Sequence, residues 1–213
     1  MFGIHRATLG AKLFILSMQV LYLVIAGYWL MVTPLNSWAR GLMVLALLVV
    51  FGRLTGMMFI WLPRGIGWTE AIGNSLAFAL YYLGFPALLI WQITPRWGMV
   101  VIGSGCFIIG SVVNTTAELL RKPFKANPKN RGRLYTGGLF HYAIHINYFG
   151  DVLWVLGMAL MTSNWWALLI PLGLLAMFVL TYIPQADAYL AKRYGADFQH
   201  YQATTKELIP WIW

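Results

Sequence analysis

Six apolar stretches, each close to the length that crosses a bilayer, constrain this chain more than any other feature. A spanning helix needs about 20 mostly apolar residues. The stretches are Leu13–Val32, Gly41–Leu62, Ala71–Trp91, Trp97–Val113, Tyr148–Thr162 and Trp165–Ile183. Breaks fall at Thr33-Pro34, Pro63-Arg64-Gly65, Thr94-Pro95-Arg96 and across the polar segment Asn114–Gly138, where proline, glycine and polar clusters punctuate helices. The fifth stretch is short and carries Asp151, so its helix is expected to begin earlier, near His141. Residues 1–12 are too polar, and the first stretch too long, for a cleaved signal peptide.

Composition excludes the soluble alternatives. Of 213 residues 60% are apolar and only 10% charged, whereas a soluble surface needs about a quarter charged. That leaves no room for a soluble enzyme, a disordered chain or a coiled coil. One cysteine, Cys106, excludes a disulfide framework or a thiolate cluster. The expected fold is an all-α, polytopic transmembrane bundle of about six spans with an amphipathic cytoplasmic tail. It divides into a four-span region, 1–113, and a region 114–213 with two spans, a basic loop and the tail.

The net charge of +9 is distributed by side, which points to the bilayer and not to nucleic acid as partner. With six spans, one face receives Arg6, Lys12, Arg64, Arg121, Lys122, Lys125, Lys129, Arg131, Arg133, Lys192, Arg193 and Lys206, twelve in all. The other receives Arg40 and Arg96, and Arg53 lies within the second span. The positive-inside rule then puts both termini in the cytoplasm.

Polar groups at span depth are costly and mark sites or pairs. Arg53 is one such group, with Asp151 its natural candidate partner. Small residues in Gly103-Ser104-Gly105 and Gly110-Ser111 suit close helix contact. The segment Arg121–Asp151 is richer. It packs six basic residues into thirteen positions, then Gly137-Gly138, then His141, His145 and Tyr148 at i, i+4, i+7 beside Asn147 and Asp151. On one helix these would span a polar face of roughly 160°, at about 100° per residue. Such a face entering an apolar span needs a polar cavity or a ligand. The two histidines alone do not make a metal centre; zinc would need a third ligand, and only Asp151 is near. The tail Gln185–Trp213 places Leu190, Tyr194, Phe198 and Tyr201 near helical spacing. It shares the face of the basic loop, so Asp187, Tyr194 and Tyr201 are placed to close a pocket for a phosphate-bearing cofactor.

At these residues the chain resembles a known superfamily. GGLFHYAIHINYFGD, an apolar span, and a tail carrying Asp187, Tyr194-Gly195, Phe198, Tyr201 and Ile209-Pro210 are similar to the sterol reductases. They are similar also to the steroid 5-alpha-reductases with their bacterial relatives, and to the isoprenylcysteine carboxyl methyltransferases. The resemblance covers about residues 114–213. The upstream RKPFKANPKNRGR is similar to the reductase-like branch, as is the ending Asn147, Tyr148, Gly150, Asp151. The methyltransferases typically carry Arg-His-Pro and a Glu-Glu pair where this chain has Ile144-His145-Ile146 and Ala186-Asp187.

The resemblance implies a membrane-embedded oxidoreductase that passes hydride from NADPH to a carbon–carbon double bond of a steroid- or isoprenoid-like lipid. It implies a cofactor pocket lined by Asn147, Tyr148 and Asp151 with His145 beside them, and Asp187 and Tyr194 as catalytic residues, Tyr194 giving the proton. Lys122, Lys125 and Arg133 offer charge for the three phosphates of NADPH, and Tyr201 helps close the pocket. Two alternatives stay open. One is methyl transfer from S-adenosylmethionine; the other is a non-enzymatic membrane protein.

Overall fold

A computed structural model describes residues 8–61, 65–92 and 94–213. His5, Arg6, Leu62, Pro63 and Arg64 lie outside the described residues, and with them two of the twelve charges and the end of the second expected span. The described residues are helical, with no strand among them. In order they form α1 (Leu9–Val32), α2 (Ser37–Gly56), α3 (Trp68–Ala79), α4 (Phe85–Trp91), α5 (Trp97–Ala126), α6 (Ile146–Met161), α7 (Leu169–Met177), α8 (Ile183–Tyr194) and α9 (Ala196–Thr204). Five continuous helical stretches are long and apolar enough to cross a membrane: Leu9–Val32, Ser37–Ile60, Trp68–Trp91, Trp97–Ala126 and Trp165–Tyr194. The shorter apolar helix α6 joins them. This is an integral, multi-pass, all-α membrane protein. Large apolar side chains such as Val24, Leu76, Val101 and Leu180 stand exposed along the stretches, as lipid-facing surfaces require.

Local chemistry explains the joints. The Asn36 side chain accepts from the backbone N–H groups of Trp38 and Ala39 and so caps α2. Three stretches widen into a π-helical turn, Met57–Trp61, Leu80–Gly84 and Phe178–Tyr182, the last two shortly before Pro86 and Pro184. Proline has no N–H to give the previous turn, and its ring crowds that turn's carbonyl, so the helix loosens there instead of breaking.

Two elements differ from expectation. The polar residues after Val113 do not end the fourth helix: α5 runs on to Ala126, because Ala117-Glu118-Leu119-Leu120-Arg121-Lys122 are good helix formers. At about 1.5 Å per residue its 30 residues exceed the hydrocarbon thickness of about 30 Å. Conversely, the fifth helix does not begin at His141. A 3₁₀ turn covers Gly138–His141, with Gly138 at φ 58°, and α6 starts only at Ile146.

The chain forms two compact units, one of Met1–Ser104 with Met158–Leu168 and one of Gly105–Gly157 with Leu169–Trp213. In the first, α1 and α3 bury Ala11, Ile15 and Ala71 with Met58 and Ile66. Deeper along α1, the buried Gln19 accepts a hydrogen bond from the Tyr82 hydroxyl at 2.9 Å. In the second, α5 and α6 cross at their glycines. A Cβ on Gly110 would lie 2.3 Å from the Trp154 backbone nitrogen, and one on Gly150 2.6 Å from that of Asn114. Gly105, on the same helix, has nothing within 4 Å of such a Cβ. Gly110→Ala should therefore destabilise the detergent-solubilised protein by about 3 kcal/mol, the upper range for overpacking. Gly105→Ala should be neutral or mildly stabilising through helix propensity. Thermal denaturation of the two variants side by side checks this; equal melting would show that the crossing is loose.

Candidate functional site

The C-terminal end of α5 supplies one wall of the site. Asn114, Glu118, Arg121 and Lys125 recur at helical spacing along it. The Glu118 carboxylate holds Arg121 Nη2 at 2.5 and 2.6 Å and receives the Asn147 side-chain amide at 3.4 Å. Asn114 in turn donates to the backbone carbonyl of Asn147 at 3.1 Å. Arg121 also lies over the Phe140 ring, 5.3 Å from its centroid.

The segment before α6 is held by the tail. Ile144 N–H donates to the Lys206 carbonyl at 2.8 Å and His145 N–H to the Glu207 carbonyl at 2.9 Å, beside a parallel bridge between Ala143 and Lys206. With those N–H groups engaged across the chain, the helix has to wait for Ile146. The consequence is geometric: His145 turns into the interior, 4% exposed, and its Nε2 lies 2.8 Å from Asp187 Oδ1 on α8. Its ring stacks on Tyr148, centroids 5.3 Å apart and 5° between planes, and Tyr148 stacks on Phe178 at 4.5 Å and 10°. Phe178 comes from the π turn that precedes Pro184. On α9, the Tyr201 hydroxyl donates to the Phe140 carbonyl, and burial pushes its phenol up, so it stays a donor throughout the neutral range. Ile144, Phe198 and Tyr201 form a small core with Leu134, Leu190 and Tyr194.

These walls enclose a cavity of about 210 Å³, lined among others by Arg121, Lys125, Tyr135, His145, Asn147, Tyr148, Tyr189, Tyr194 and Tyr201. Six residues singled out in the sequence thus meet: Lys125, His145, Asn147, Tyr148, Tyr194 and Tyr201. Asp187 stands behind His145 and also receives the Gln202 amide at 3.4 Å. Lys122 and Asp151 do not line the cavity; the Asp151 carboxylate accepts from the Trp154 indole at 2.9 Å. Arg133 and His141 line a second, more open cavity of about 730 Å³, on which Leu134 and Tyr201 also border. His141 and His145 therefore face different spaces, and the single polar helical face expected from their spacing does not form.

A family model described as a protein of unknown function, DUF1295, matches residues 75–205, which takes in every wall of the cavity. The chain belongs to this family. Its likenesses place the DUF1295 chain among the steroid reductase and isoprenylcysteine methyltransferase superfamily. It is 27% identical over 187 residues to the probable O-methyltransferase ustE of Ustilaginoidea virens, covering 86% of this chain and 59% of that protein. It is 26% identical to the protein-S-isoprenylcysteine O-methyltransferase of Schizosaccharomyces pombe, covering 71% of this chain and 67% of the other. It is 29% identical to the 3-oxo-5-alpha-steroid 4-dehydrogenase 2 of Mus musculus, covering 66% and 53%. The chain thus spans between about half and two thirds of the length of these relatives, all of which carry enzyme names.

Asn114 and Glu118 are the residues that sequence reasoning missed. The signal was present as their i, i+4, i+7 register with Arg121, hidden because Asn114-Thr115-Thr116 reads as a helix break. Tyr201→Phe tests the wall from the other side. Removing the hydroxyl leaves the Phe140 carbonyl without its partner and should cost about 1–3 kcal/mol, the range for a buried group left unsatisfied. Thermal denaturation in detergent measures it, and an unchanged midpoint would show that water replaces the hydroxyl.

Proposed function

We propose that this DUF1295 protein is an NADPH-dependent reductase acting on a carbon–carbon double bond of a lipidic, steroid- or isoprenoid-like substrate. One observation carries the choice: the cavity is lined by two cations, Arg121 and Lys125, and by no carboxylate. A dinucleotide brings phosphates that such walls attract, whereas S-adenosylmethionine brings a sulfonium cation that they repel. The residues present fit the cofactor, with Arg121 and Lys125 for phosphate oxygens, Asn147 for polar edges and the stacked rings of His145 and Tyr148 for a flat face. NADPH supplies a hydride when bound.

The protein's own part is binding, orientation and a proton. Glu118 fixes Arg121 and Asn147 from behind, so neither has to be ordered on binding. Asp187 holds His145 by Nε2, which sets the ring plane against Tyr148. Tyr194 lines the cavity and is the proton donor in this reading, its hydroxyl giving up the proton that completes saturation of the double bond. In this reading the substrate enters from the bilayer, and both termini face the cytoplasm, which the twelve-to-two charge split supports. A methyltransferase is the second reading. It is favoured by the alignments over 86% and 71% of the chain to O-methyltransferases and by the tyrosine rings around the cavity, which attract a sulfonium.

Ligand-dependent melting of the purified protein decides between them. At about 100 times its dissociation constant the true cofactor stabilises by about 2.7 kcal/mol. NADPH is expected to do so, and the Arg121→Gln/Lys125→Gln double variant to lose most of the effect, the gap narrowing at high salt. Tyr194→Phe should keep NADPH binding while turnover falls about 10²–10⁴-fold. Stabilisation by S-adenosylmethionine alone would replace this reading with the second, and silence from both ligands would remove both. Reporter fusions after Trp213 should read cytoplasm; a signal from the far side would overturn the topology.

A further inference from the structure

The hexapeptide Leu208–Trp213 folds back on itself so that Trp211 and Ile212 face outward while Leu208 is buried. Leu208 and Ile209 both donate their N–H to the Trp213 carbonyl, at 2.8 and 2.5 Å, while Ile212 and Trp213 donate to the Ile209 carbonyl at 3.1 and 3.0 Å. This closure holds Trp211 at φ 63°, a left-handed conformation that a bulky side chain adopts only under constraint. The result is 78% exposure for Trp211 and 75% for Ile212. The exposed Tyr142 stands beside Trp211, ring centroids 5.6 Å apart.

What covers this patch can be read from its neighbours. Leu208 is buried with Phe178 and Ile183, and Ile209 packs on the same group, so the hexapeptide rests on the membrane-crossing stretch Trp165–Tyr194. Leu180 on that stretch is itself exposed and faces lipid in any such span. The patch is thus tethered through Leu208 and Ile209 to a stretch whose outer residues face lipid. Its composition is that of the membrane–water boundary, tryptophan and tyrosine with the exposed Lys206 alongside.

We propose that Leu208–Trp213 is an interfacial anchor whose partner is the bilayer surface, and that this anchor holds the His145 segment in place. The connection is covalent and short. The residues immediately before the anchor, Lys206 and Glu207, supply the carbonyls that receive the N–H groups of Ile144 and His145. Lipid that fixes the hexapeptide fixes those acceptors. Withdrawal of the anchor frees the segment that carries His145 into the cavity. The bilayer thereby becomes part of the site's architecture, whichever cofactor the cavity takes.

The experiment uses the full chain in vesicles of phosphatidylcholine with a minority of phosphatidylglycerol. Ile212→Cys in a Cys106→Ser background carries a nitroxide, with Lys129→Cys as the reference position. The label at 212 should relax mainly by collision with oxygen and that at 129 mainly with a water-soluble nickel complex; nickel dominance at 212 overturns the anchor. Hydrogen exchange then reads the coupling. In Trp211→Ser/Ile212→Ser the amides of Ile144 and His145 should exchange about tenfold faster or more, a local opening, while that of Val155 in α6 stays as in wild type. Unchanged exchange at 144 and 145 overturns the coupling. Were Val155 to accelerate equally, the double variant would be globally loosened, and the same exchange comparison is then made on wild type in vesicles against wild type in a short-chain detergent. Loss of protection confined to 144 and 145 in detergent supports the coupling, and equal protection overturns it. No readout needs a cofactor, so the reductase reading stands or falls separately.

Discussion

Two backbone hydrogen bonds, from Ile144 and His145 to the carbonyls of Lys206 and Glu207, set the geometry on which the site depends. An amide that has found its partner across the chain cannot also bond the carbonyl one turn back, so a helix running in from His141 is interrupted, α6 begins at Ile146 and His145 is delivered inward at its threshold. The imidazole then has a defined place between Asp187 and Tyr148, and the stack continues from Tyr148 to Phe178. Had the helix begun at His141, as its polar spacing suggests, His141 and His145 would share one face and no cavity would separate them. Tertiary pairing overrode local periodicity, and the site exists because it did.

Hydrocarbon imposes the rest. With no water to satisfy a stray N–H or carbonyl, a span must be helical throughout, and its apolar residues must run for about 20 positions. That demand is why the spans were legible in the sequence to within a few residues at most ends, for instance Trp97 at the start of α5 and Val32 at the end of α1. It also explains how proline is tolerated. Pro86 and Pro184 loosen their helices into π turns without ending them, and the second of these turns puts Phe178 where Tyr148 can stack on it.

Outside the hydrocarbon the same rule lapses, and there the sequence misled. Asn114-Thr115-Thr116 has poor helix propensity, yet Asn114 is 4% exposed and its side chain bonds the Asn147 carbonyl, a gain invisible to any local scale. The glycines gave a partial signal. Gly110 read as a small residue suited to close contact, but its partner at Gly150 and the 2.3 Å clearance follow only from the crossing itself. Basic residues were the least legible. Lys125 lines the cavity, Lys122 does not, and Arg133 lines a different one, although all three sit in one charged run. A charge run states which side of the membrane it prefers; which of its members turns inward depends on the helical phase of α5 and on the loop after it.

The chain has six acidic residues, and two of them stand directly behind cavity-lining groups without lining the cavity. Glu118 holds Arg121 through Nη2, and Asp187 holds His145. Placed in the wall, either carboxylate would repel a phosphate; placed behind it, each fixes a donor at little cost in flexibility and leaves the cavity edged by donors. A guanidinium already bonded to a carboxylate keeps its remaining N–H groups in a fixed fork, so in the proposed reading the Arg121–Glu118 pair would meet a phosphate with its donors already ordered. Lys125 stands one turn further along α5 from Arg121 and lines the same cavity, which adds a second positive centre on that edge. Positive groups and stacked rings line the same cavity and give it two chemically distinct kinds of surface. A ligand that is anionic along part of its length and flat along another would satisfy both at once, and that combination is what favours the proposed dinucleotide over a cationic methyl donor.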